Sequence, residues 1–179
     1  MNTFAQAHLG AIQTLIHFFG KSFTPDQLWF FVQGIPEMTG VIAVCCVLAR
    51  TSVRWSNAII LGIILCLTIF VIRASGVLWG VHTLAAMLII ILYLIRFHQV
   101  SSLNALLSTI SGWVILLASE YAFGLVIYRV LQIDPNTASL DAFRWAMIGM
   151  PQAIFFLILG IFSPQIIKPK ENLTHEHQS

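Results

Sequence analysis

Residues 57–72 read NAIILGIILCLTIFVI, sixteen positions without a charge, bounded by Arg54 on one side and Arg73 on the other. Isoleucine, leucine, valine and phenylalanine occur all around any helix drawn through this run. A helix with no polar face belongs in the interior of a large protein or in a bilayer. Working outward, four more such runs follow the same reading: Leu28–Ala49, Val77–Ile95, Leu103–Val130 and Arg144–Phe162. Each approaches the roughly 20 apolar residues that a spanning helix needs. Residues 57–72 are short by that measure and residues 103–130 long, so unequal tilt is expected.

Composition agrees with a bilayer. Of 179 residues, 58% are hydrophobic and 9% charged, against about 25% charged in an ordinary soluble domain. Mean hydropathy is +0.88. The nine basic and seven acidic residues leave a net charge of only +2. These values exclude a soluble enzyme, a disordered tail and a nucleic-acid binder, which would need a basic face. The expected fold is an all-α polytopic membrane helix bundle of five transmembrane helices. An amphipathic helix at residues 1–22 precedes it, the bundle occupies 23–167, and 168–179 form a polar cytoplasmic tail. Within the first segment, Phe4, Ala11, Ile12, Leu15, Ile16 and Phe19 share one face, and Gln6, Gln13, Thr14 and His17 line the other. Such a helix lies in the interface plane or packs as a sixth span, and its short length and polar stripe favour the interface. No basic region and cleavage site opens the chain, so Met1 is expected to begin the mature protein.

Arg50, Arg54, Arg96, Lys168 and Lys170 fall on one side of a five-span chain. The positive-inside rule makes that side cytoplasmic, with the N-terminus outside, in a cell membrane. Arg73, Arg129 and Arg144 mark the outer rim, where they can snorkel or pair. The connections are too short for an extramembrane domain, and Asp134-Pro135-Asn136 signals a turn in the longest. Pro164 and Pro169 are expected to end the last helix.

Two carboxylates remain deep in the spans. Glu37 is roughly 14 Å below the outer end of the first and Glu120 roughly 15 Å below that of the fourth, at 1.5 Å per residue. An ionised side chain at such depth costs about 2.5–3.5 kcal/mol, which marks it as a functional candidate. Gln33 stands one turn above Glu37. His82 lies about 8 Å into the third span and Gln152 about 12 Å into the fifth. Glu37, Glu120, His82, Gln152 and Gln33 are therefore candidate ligand-binding residues around an outward-facing pocket. The competing reading is that they hold helices together. Pro36 and Pro151 each precede one of these polar residues and are expected to bend their helices there. Ser108, Gly112, Ser119 and Ala122 form a small-residue face on the fourth span suited to close helix packing, which would make that helix central.

The cysteines, Cys45, Cys46 and Cys66, lie in apolar runs without C-x-x-C spacing, so neither zinc nor a disulfide is expected. HExxH, GxSxG and P-loop signatures are missing from the sequence, and no nucleophile–base pair is apparent. A non-enzymatic protein with no cofactor and no metal is expected.

The segments Gln33-Gly34-Ile35-Pro36-Glu37, Arg54-Trp55, Gly80-Val81-His82-Thr83-Leu84, Glu120 and Gly149-Met150-Pro151 together resemble the multi-pass membrane domain of certain Firmicutes sensor histidine kinases. The similarity covers about residues 28–163 and rests on short motifs. More remotely, the chain is similar to the rod-shape protein MreD and to the S components of energy-coupling-factor vitamin transporters. The kinase resemblance implies an input module that senses a signal and passes a conformational change inward. Ten residues follow Pro169, too few for a kinase domain, so signalling would run through a separate partner. The transporter resemblance implies a substrate-binding subunit with a separate energy-coupling partner. A membrane scaffold in envelope or cell-shape assembly is a third expectation. Contact with the lipid bilayer is common to all three, and self-association into a homo-oligomer is compatible with each.

Overall fold

The computed structural model describes residues 25–75, 80–132 and 142–166. They form five helices: α1 (Pro25–Leu48), α2 (Trp55–Ala74), α3 (Val81–His98), α4 (Ser102–Leu131) and α5 (Ala142–Ile166). All five are long and apolar enough to cross a membrane, and no strand occurs among the described residues. The fold is an all-α, multi-pass helix bundle. The expected amphipathic helix of residues 1–22, the turn at 134–136 and the tail from 168 lie outside the described residues.

The helix ends refine the sequence reading. Trp55 and Ala74 extend the second span to 20 residues, about 30 Å long, which matches the hydrocarbon core unaided. The third helix starts at Val81 rather than Val77, after Gly80 in the left-handed region at φ 96°. A left-handed residue cannot lie within a helix, and Gly80 is its N-cap, whose carbonyl accepts the first helix bond from the Leu84 N–H and a second from that of Thr83. Pro164 does not end the fifth helix, which continues to Ile166. So near a terminus, the missing N–H frees one carbonyl without breaking the helix.

The central helix is α1, not α4 as the small-residue face suggested. Over its most apolar window α1 is 56% buried, against 17% for α4, and α1 touches each of the other four helices. Val41, Ile42, Ala43 and Cys45 on α1 have no exposed surface. Small groups on several sides of α1 let neighbours approach, whereas Leu107, Val114, Leu117 and Val126 of α4 are each more than half exposed. That is a lipid-facing helix.

Contacts at glycines fix the registers. Gln33 lies on Gly149, Gly40 on Phe156 and Ala43 on Gly160. These pairs advance together, so α1 and α5 run parallel over more than two turns. Against α2 the order reverses, with Gly34 on Cys66 and Thr39 on Gly62. Gly112 of α4 lies on Cys45, and the alternation of spans makes this pair antiparallel. Within α1, Pro36 removes one helix bond, and Thr39 Oγ1 donates to the Ile35 carbonyl at 2.8 Å.

The C-terminus of α1 is closed by a reverse turn. The Thr51 N–H bonds the Cys46 carbonyl and the Arg50 N–H bonds the Val47 carbonyl, both at 2.9 Å. This is the Schellman pattern, and Arg50 at φ 56° takes the left-handed position that glycine normally fills. A side chain there costs roughly 1–2 kcal/mol.

Candidate functional site

The register places the two deep acids together. Eight positions on from Gly112 is Glu120, and eight back from Cys45 is Glu37. In an antiparallel pair those steps end at the same depth. Glu120 accordingly lies close enough for its charge to act on Glu37, as does that of Arg73 from α2. The Arg73 guanidinium also acts on His82 of α3 and stands 5.9 Å from the centre of the Phe30 ring. Glu37 is thus reached by charges from two neighbouring helices, and Arg73 links it to a third.

The immediate surroundings of Glu37 belong to α1, α2 and α5. Gln33 Nε2 donates to Glu37 Oε2 at 3.5 Å, a long bond across one turn. The Gln33 amide rests on Gly149, where any side chain would collide with it. The Cys66 thiol is buried against Gly34 and feels the charge of Glu37. An amide, a carboxyl and a thiol are therefore neighbours where α1 meets α2 and α5, with a guanidinium and a second carboxylate farther out. Such a set can take a small cation or a polar donor, with the carboxylates as acceptors.

The structure treats the candidates unequally. Gln33, Glu37 and Glu120 belong to this neighbourhood, whereas His82, the second residue of α3 rather than a residue about 8 Å inside it, is linked to it only through Arg73. Glu37 and His82 are half-buried, while Glu120 is exposed on α4. Arg73 is less a rim charge than a member of the group. Arg129 and Arg144 stay exposed at the same end of the bundle. Gln152 has a different task. Its buried Nε2 donates to the Leu116 carbonyl at 3.3 Å, and the same carbonyl accepts from Ser119 Oγ at 2.8 Å. This ties α5 to α4 and spends the amide nitrogen on packing. We expect Gln152→Leu to lower stability by about 1 kcal/mol, the usual scale of an interhelical bond in a membrane. Thermal unfolding in detergent checks this, and an unchanged Tm would deny the clasp.

On the small-residue face, Ser108, Gly112 and Ser119 are buried but Ala122 is exposed. Ala122 is therefore not a packing residue within the bundle. The helix turns it outward, because α1 stays against the face that carries Gly112. Among the described residues, no group of three or more His, Cys, Asp or Glu could hold a metal ion.

Several features escape a linear reading. A recess of about 540 Å³ lies between the end of α1 and the start of α4, and no expected ligand residue lines it. It is at the opposite end of the bundle from Arg73. Near that end, Tyr93 Oη and His98 Nε2 are 3.2 Å apart, and the charge of Arg54 acts on both. Thr109 Oγ1 and Trp113 Nε1, one turn apart on α4, are buried without a hydrogen-bond partner among the described residues. The i, i+4 spacing of Thr109 and Trp113 was visible in the sequence, but their burial was not.

No protein-family model matches the chain, and no curated protein or solved structure matches it.

Proposed function

We propose that the chain is a non-enzymatic membrane sensor, a receptor-like module that takes a small cation or polar donor at Glu37. Glu120, His82, Gln33 and Arg73 complete the site, and a separate partner protein receives the signal. The supporting observation is the register of α1 against α4, Gly112 on Cys45, which sets Glu120 at the depth of Glu37 on the central helix, where Gln33 donates to the carboxylate. Because α1 touches all four other described helices, a ligand that neutralises Glu37 changes forces on the one element that couples the bundle. The resemblance to kinase input domains favours the same reading. We place the Arg73 end outside and the Arg50 end in the cytoplasm, in a plasma membrane, from the distribution of basic residues.

The test is thermal unfolding of the purified protein with guanidinium, methylammonium and sodium salts at matched ionic strength. A cation-specific rise in Tm is expected for wild type and should vanish in Glu37→Gln, which keeps the side chain's shape. No rise with any of these cations would remove the ligand reading. It would favour a scaffold, for which the exposure of Glu120 on the thinly packed α4 speaks. Co-purification separates the signalling reading from a transporter subunit: a histidine kinase supports the first, an ATPase with its coupling subunit the second.

A further inference from the structure

The recess at the far end of the bundle is unlike the surface around it. It lies between Leu48, Ala49 and Arg50 of α1 with its turn, and Asn104, Ser108 and Ser111 among the α4 residues facing them. The α4 residues follow an i, i+4, i+7 spacing and so form one wall. That wall descends from the helix end to Ser111, about 13 Å along the axis. Around it Leu103, Leu106 and Ile110 are exposed, as lipid-facing side chains should be. An amide and hydroxyls set into such a surface, beside a guanidinium at the helix ends, offer hydrogen bonds to a polar group that comes with the lipid.

Charge selects its sign. Arg50 is the charged residue of the lining, and exposed Arg54 and Arg96 belong to the same end. The described acidic residues are Asp26, Glu37 and Glu120. None comes nearer than about 16 Å, along its own helix, to the end carrying the recess. The side chain of Arg50 is set at the mouth by a left-handed backbone, at a position where glycine would be more stable. We infer that the recess binds the phosphate of an anionic membrane phospholipid, with Arg50 as the charged partner. Asn104 and Ser111 supply hydrogen bonds, and Leu48 lies at the start of the acyl chains. Guanidinium donors suit phosphate oxygens.

This site is independent of the one at Glu37 and can be tested apart from it. The full-length protein in mixed micelles is titrated with dioleoyl phosphatidylglycerol, dioleoyl phosphatidylcholine or inorganic phosphate, and Tm is followed. Phosphatidylglycerol should raise the Tm of wild type, and phosphatidylcholine and inorganic phosphate should not. Arg50→Gly relieves the left-handed strain, so without added lipid its Tm should equal or exceed that of wild type. Its apparent affinity for phosphatidylglycerol should nevertheless fall at least about tenfold, the loss of one charged hydrogen bond. Arg50→Lys should recover part of it, and Ser111→Leu, which fills the recess from an exposed position, should lose it. An undiminished response in Arg50→Gly and Ser111→Leu would overturn the proposal. So would an equal response to phosphatidylcholine, or to inorganic phosphate alone.

Discussion

Gly40→Leu is expected to keep α1 and α5 from pairing and to abolish folded protein. A Cβ at position 40 would stand 2.6 Å from the Phe156 Cβ and 2.9 Å from the Phe156 carbonyl carbon. The obstacle is backbone and its first side-chain atom, which cannot rotate away as a side-chain tip can. Overpacking commonly costs about 1–3 kcal/mol. The cost here lies above that range, because Gln33 on Gly149 and Ala43 on Gly160 pin the same helix pair on either side. Folded proteins hold only about 5–15 kcal/mol in total. Size-exclusion chromatography of the detergent extract reads the outcome: the monodisperse peak should disappear. Gly124→Leu is the control, since among the described residues a Cβ there meets only the Tyr128 ring, at 3.6 Å. A normal peak and wild-type Tm for Gly40→Leu would refute the close approach.

Phe156→Ala should be the most costly single truncation. The side chain has no exposed surface and meets the Phe155 ring edge-on at 5.9 Å. In water-soluble cores such a change costs about 3–5 kcal/mol, part of it the transfer of the ring out of water. Lipid is as apolar as the core, so here mainly the lost packing contacts count. We expect about 2–3 kcal/mol, read from unfolding in denaturant. Combining the variants gives a sharper result. Phe156→Ala should fail to rescue Gly40→Leu, because alanine keeps the Cβ and backbone that obstruct position 40. Rescue would mean that the ring, rather than the backbone, sets the distance between the helices.

The five helices and the depth match of Glu37 with Glu120 were legible because both follow from one-dimensional quantities. Run length gives spans, and rise per residue gives depth. Rotation about each helix axis was not legible. Nothing in the order of residues says that Gln152 turns to Leu116, that Ala122 turns outward, or that Arg73 reaches back toward Glu37. Uniformly apolar helices carry little facial pattern from which to read this, and in lipid an exposed leucine is no anomaly. The centre of the bundle was misplaced for a related reason. Small residues on α4 permit close approach, but so do Gly34, Thr39 and Gly40 on α1. Only the contacts show which helix is approached on several sides.

The parallel pairing of α1 and α5 also bears on how the chain is made. Gly40 and its partner Phe156 are separated by 116 positions, most of them in spanning helices. At about 5–20 residues per second, α1 is synthesised on the order of ten seconds before the helix that covers it. Throughout that interval the side of α1 that Gly149, Phe156 and Gly160 will cover, with Gln33 and Gly40 on it, stays open, although α2 and α4 are already made. The most polar span of the protein is thus the one that waits longest for its neighbour. The seam between α1 and α5 is therefore the last part of the described bundle to close.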